Sequence, residues 1–91
     1  ALFEYRTRHL GPLDATLAQS VGLTGPVARA SDLAVDLRVG GVETRGYEEL
    51  EFLVVQGRGR GRGDTHDRFV LRVREVLQSA EIIRGRLARL P

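Results

Sequence analysis

The side chains best able to do chemistry gather near position 65. His66 lies between Asp64 and Asp67, a carboxylate–imidazole–carboxylate run that suggests a metal site. The spacing argues against it. Successive helix residues point about 100° apart, so the three do not easily converge on one ion. A solvated histidine in a helix's first turn is the favoured reading. His9 is the other imidazole, and Ser20, Ser31 and Ser79 have no base beside them in sequence. Residues 57–63 read GRGRGRG. A glycine-rich run before a helix superficially matches a phosphate loop, because a helix N-terminus attracts anions. No Lys-Ser/Thr pair follows it, and a dinucleotide fingerprint needs a preceding strand and other glycine positions. Arginines on glycine also match RNA-binding tracts, but those are longer and interleave aromatic residues. A solvated loop is favoured, and no nucleic acid is expected as a partner. We assign no catalytic, cofactor-binding or metal-binding residue from these patterns.

The elements that must position these groups can be read from punctuation and period. Residues 1–11 show no clear period, and Gly11-Pro12 ends them. Residues 12–30 predict a helical hairpin. Asp14 or Pro12 starts its first helix, Gly22 stops it, and Thr24 with Pro26 starts the second. Residues 31–47 are ambiguous; Leu33, Val35, Leu37 and Val39 alternate as in a strand, which is favoured, with a short helical turn as the alternative. Leu50, Phe52 and Val54 alternate too, which predicts a strand over 48–56. Residues 57–63 are the Gly/Arg loop. Residues 64–90 predict one long helix, capped by Asp64 and ended before Pro91. The fold class is therefore α+β, mainly α, in a single piece spanning 1–91.

The long helix carries the strongest signal. Phe69, Val73, Val76, Ala80, Ile83, Leu87 and Leu90 are spaced alternately four and three apart, an unbroken heptad seam. Such a seam predicts self-association through 69–90 when nothing else covers it. Beside it run Arg68, Arg72, Glu75, Ser79, Ile82 and Arg86. From composition a solvated charged face is favoured for this second stripe; the sharper reading is that Arg68 and Arg72 hold carboxylates, with Asp32 and Asp36 as candidates within the chain and a partner in sequence beyond it as the equal alternative.

Composition bounds the rest. The chain has 91 residues, 42% of them hydrophobic, and a net charge of +2 with no basic block. Its pI of 9.9 reflects arginine, the basic residue it uses throughout. It has no cysteine, so it offers no disulfide, thiolate nucleophile or iron–sulfur ligand. It has no methionine either, which suggests a processed chain or a piece of a longer one. No run of eighteen apolar residues spans a membrane.

Two longer strings resemble a known family. VGLTGPVARASDLAVDLR (21–38) and GDTHDRFVLRVREVLQSAEII (63–83), with Tyr47 and Phe52 between them, resemble the large-subunit family shared by energy-converting nickel–iron hydrogenases and the D-type subunit of respiratory complex I. Arg6-Thr7 and Gly11 extend the match upstream. Matching framework positions are Gly25, Pro26, Arg29, Ser31, Asp36, Arg38, Gly63, Asp64, Arg68, Arg72, Glu75 and Ser79, with Gly22, Ala30, Ile82 and Ile83. Asp32 stands where the pattern has glycine, so a different backbone is expected there. The proline–tyrosine expected between Arg38 and Tyr47 is missing, and GRGRGRG replaces a less repetitive loop.

The resemblance implies an internal framework piece of an oxidoreductase, an NADH-quinone oxidoreductase or a hydrogenase, coupling electron transfer to quinone or protons. The parent would be an enzyme and the isolated piece inactive. The resemblance also implies a parent that contacts quinone and a neighbouring iron–sulfur cluster, or holds nickel–iron. No cofactor is expected within these residues. Partners would be other subunits of a membrane-bound redox complex, met peripherally at the cytoplasmic face. The competing class is a stand-alone helical interaction module that self-associates through the long helix or binds RNA through the Gly/Arg loop.

Overall fold

The computed structural model describes residues 2–39, 53–57 and 63–91. Four helices follow in chain order: α1 (Leu2–Thr7), α2 (Ala15–Ser20), α3 (Gly25–Ala30) and α4 (Thr65–Leu87). The expected hairpin over 12–30 is present as α2 and α3. Asp14 caps α2 by accepting from the Leu17 N–H at 2.7 Å. Thr24 occupies the N-cap of α3 without a side-chain cap bond, and Pro26 fits the first turn, where its missing N–H costs nothing. α1 falls where the sequence shows no period. It is one short, wholly unburied element whose Phe3 ring leans on Phe69 of α4 at 4.6 Å.

Among the described residues there is no strand. Residues 31–32 and 37–39 turn and 33–36 join no ladder, with Asp36 drawing the Arg38 N–H onto its own carboxylate. A short polar side chain that bonds its own backbone two residues on makes a turn in place of a ladder. Residues 48–52 of the expected strand lie outside the described residues, as do 58–62 of the Gly/Arg loop. Residues 53–57 run as an irregular segment held mostly by side chains. Gln78 donates to the Leu53 carbonyl, Arg74 donates to the Gln56 carbonyl at 3.0 Å, and Gln56 donates to the Asp32 carbonyl at 2.9 Å.

The core is small. Ala18, Ala28, Ala30 and Leu71 are its buried apolar residues, and Ser31, Asp64 and Asp67 are buried with them. Alanines let α2, α3 and α4 approach closely but bury little apolar area each. The heptad seam does not line this core. Val76 is 67% exposed, Ile83 60% and Leu87 61%, while Leu71, on the opposite side of the helix, is 1% exposed. α4 therefore rests on α3, with Leu71 buried and Glu75 paired to Arg29, and turns its main apolar stripe outward.

Candidate functional site

Two clusters gather the framework positions. The first is the start of α4. Asp64 sits at the N-cap, where the positive end of the helix dipole favours a carboxylate. Its Oδ1 accepts from the Asp67 N–H at 2.9 Å and its Oδ2 from the His9 N–H at 2.7 Å. One buried carboxylate thus satisfies donors from two distant segments. Thr65 adds two bonds to the Leu10 carbonyl, one from its N–H and one from its hydroxyl, each 2.9 Å. Arg68 closes the junction, donating to the carbonyls of Gly11 (2.9 Å) and Gly63 (2.5 Å) and to the Thr65 hydroxyl (2.9 Å). His66 faces α1, with Nδ1 3.2 Å from the Thr7 hydroxyl and its ring 5.8 Å from Phe3.

Gly63 is the pivot of this junction. Its φ is +52°, and a Cβ there would stand 2.1 Å from the Leu13 carbonyl oxygen and 2.5 Å from Ser31 Oγ. Only glycine combines that backbone with that approach. Ser31 is 1% exposed and returns its hydroxyl to the Val27 carbonyl, so it closes α3. Asp32 follows with φ +69°. Asp32 takes the left-handed region that glycine favours, which a short polar side chain tolerates.

The second cluster lies between α3 and α4. Arg29 Nε meets Glu75 Oε1 at 2.6 Å, and Arg29 also donates to the Val35 carbonyl at 3.0 Å. Both side chains of the pair are largely withdrawn from water, at 13% and 16% exposed. Arg38 forks onto Asp36, Nε to Oδ1 at 3.0 Å and the terminal nitrogen to Oδ2 at 2.6 Å, and reaches Gln78 at 3.5 Å. The Arg38 hydrogen bonds hold the Asp36 carboxyl below the ordinary carboxylate range, helped by the nearby Arg29 charge and opposed by burial. These contacts bind the turn at 32–38 to the middle of α4.

The two arginines read together from the stripe part ways here. Arg68 binds backbone carbonyls and a hydroxyl, whereas Arg72 is exposed and has no ion pair among the described residues. Asp36 pairs with Arg38, and the carboxylate that the stripe itself contributes to a buried pair is Glu75. Ser79 is exposed, and Gly25 and Pro26 open α3. His9, Thr65 and Gln78 join the clusters without any sequence pattern having marked them. A polar residue at a loop or helix position gives no sign of a partner 25 to 55 residues away.

These clusters fasten chain to chain. With no cysteine in the sequence and no group of three His, Asp or Glu among the described residues able to hold a metal, the donor set fits neither nickel–iron nor an iron–sulfur cluster. An open hollow of about 420 Å³ beside Glu4, Tyr5, Arg8 and His9 is bordered by the Glu4–Arg8 ion pair. No helix among the described residues is long and apolar enough to cross a membrane.

Comparison with known proteins gives this geometry a setting. The family model described as "Respiratory-chain NADH dehydrogenase, 49 Kd subunit" matches residues 1–91. The chain is 40% identical over 90 residues to the D-type NADH-quinone oxidoreductase subunit of Flavobacterium psychrophilum, covering 99% of this chain and 21% of that protein. It is 37% identical over 90 residues to the D-type subunit of Acidiphilium cryptum, again covering 99% and 21%. It is also 37% identical over 89 residues to the D-type subunit of Mycolicibacterium smegmatis, covering 98% and 19%. The chain spans about a fifth of the length of these relatives.

Proposed function

Because the chain belongs to the family of the respiratory-chain NADH dehydrogenase 49 Kd subunit, we propose that it serves as an internal framework piece of the D-type subunit of an NADH-quinone oxidoreductase. The observation that carries this reading is the match across all 91 residues to proteins about five times longer. The buried contacts agree with it: Asp64, Arg68, Arg29 and Glu75 are used up in joining segments of this chain. In this role the piece transfers no electron itself. It holds the start and middle of a long helix in fixed relation to a helical hairpin. Quinone reduction and the neighbouring iron–sulfur chemistry then belong to parts of the parent outside these residues. The relatives' names favour the quinone branch over the hydrogenase branch. The partners are the other subunits of a membrane-bound redox complex, met peripherally at its cytoplasmic face. Removed from that setting, the chain self-associates through the uncovered face of residues 69–90.

Segment exchange tests this. The chain replaces the matching segment of the Flavobacterium psychrophilum protein, with the Mycolicibacterium smegmatis segment exchanged in parallel as a control. The expected result is an assembled complex that reduces quinone with NADH in both cases. Assembly with the control segment but not with this chain overturns the proposal.

A further inference from the structure

The outward seam of α4 is flanked by charge of one sign, and this identifies its occupant. With Phe69, Val76, Ile83 and Leu90 as one seam row and Val73, Ala80 and Leu87 as the other, the positions bordering the seam are Val70, Leu77 and Arg84 on one side and Arg72, Ser79 and Arg86 on the other. All the charge there is positive. The acids of α4 lie elsewhere: Asp67 is buried, Glu75 is paired with Arg29, and Glu81 is two positions before the seam residue Ile83. Arg72 and Arg84 are exposed, one on each border, and neither side chain has a hydrogen bond or ion pair among the described residues. Flanking charges set partner choice in helix pairing by attraction and by repulsion. A second copy would bring arginine borders against arginine borders. A helix with Asp or Glu beside its own apolar stripe would meet them with opposite charge.

We propose that the seam of residues 73–90 is the docking surface for an acidic-bordered amphipathic helix from the remainder of the same subunit. Self-association is then what the seam does when that helix is missing. The source of the helix rests on the 49 Kd subunit reading and on the four-fifths of the relatives' length that lies beyond this chain. The recognition chemistry rests on the seam and its arginines alone. Apolar contact supplies adhesion along about 21 Å of helix, from Val73 to the end of α4 at Leu87, and the arginines select the partner.

Two synthetic 28-residue helices sharing one leucine seam, one bordered by glutamate and the other by lysine, are titrated against the 91-residue chain by fluorescence anisotropy. The acidic helix is expected to bind at least tenfold more tightly at low salt. The double variant Arg72→Glu/Arg84→Glu is expected to reverse that preference, with unchanged helical circular dichroism because both side chains are exposed. Equal binding of the two helices, or a tight salt-insensitive dimer of the chain alone, overturns the proposal. A photo-crosslinking residue at Val76 in the whole subunit tests the source. An adduct within the subunit supports it, and an adduct to another subunit or a second copy overturns it. The titration needs no assembled complex, so its failure is distinct from failure of the segment exchange.

Discussion

The two faces of α4 are built on opposite chemistries. The inner face holds one large apolar side chain, Leu71, beside buried Asp67 and the partnered polar side chains of Glu75 and Gln78. The outer face is the apolar one, and it is mostly exposed. A periodic apolar stripe on a helix ordinarily marks the side turned to its own core. Here it marks the side left for something else, while the internal contacts are directional and short. The lesson concerns pieces of larger assemblies. Local order comes from caps and ion pairs that need few residues, and the large apolar surface waits for more distant chain.

Substitutions can break this contrast, and the largest effects belong on the inner side. Gly63→Ala is expected to cost roughly 3 kcal/mol or more, because the φ of +52° and the 2.1 Å approach to the Leu13 carbonyl both resist a Cβ. Urea denaturation of the chain measures it. A loss under 1 kcal/mol would mean the junction relaxes without it. Leu71→Ala removes the largest fully buried side chain and is expected to cost about 2–4 kcal/mol by the same measurement.

The polar fasteners come next. Arg29→Ala and Glu75→Ala are each expected to cost roughly 1–3 kcal/mol, since each leaves a largely buried partner charged and alone. The double variant should lose clearly less than the sum, and strict additivity in a double-mutant cycle would show that the pair does not couple. Arg68→Ala is expected to cost about 1–2 kcal/mol for its carbonyl bonds. Arg72→Ala should stay within about 0.5 kcal/mol. Equal losses at the two positions would mean that the carbonyl bonds of Arg68 contribute nothing that exposed Arg72 lacks.

The outer face should be nearly silent in the same assay. Ile83→Ser is expected to leave monomer stability within about 0.5 kcal/mol while weakening self-association in sedimentation. The smallest effect is that of pH. The Asp36 carboxyl is held below its ordinary value of 3.8. A lowered native value gives stability that is present above the ordinary value and fades as pH falls through the lowered one. An acid titration of the wild type should show that loss below about pH 4, and Asp36→Asn should flatten it.

Much of the helical frame was legible because its signals are local. Asp14 and Asp64 cap backbone groups within a turn of themselves, and α2, α3 and α4 begin where Asp14, Thr24 with Pro26, and Asp64 predict, while α4 ends at Leu87 rather than at the expected 90. α1 was not legible, since six residues are too few to show a period. The alternation at Leu33, Val35, Leu37 and Val39 misled in the other direction. Asp36 and Arg38 hold that stretch in a turn, and their bonds outweigh a four-residue pattern. The framework residues were marked by resemblance, but their partners were not. Arg68 and Arg72 look alike in sequence, and only the turn at Gly63 and the path of residues 9–13 past α4 give Arg68 its carbonyls.

The sequence by itself determined the caps, the long helix and the seam along it, because these depend on neighbours three or four residues apart. The family also came from the sequence, through the spacing of residues such as Gly25, Arg29, Gly63 and Arg68. Tertiary structure alone decided which way the seam faces. A helix shows its period without showing what stands on either side, and α3 with the turn at 32–38 occupies the polar side through Arg29, Arg38 and their carboxylates. Once those charges were paired inward, the apolar stripe had to turn out.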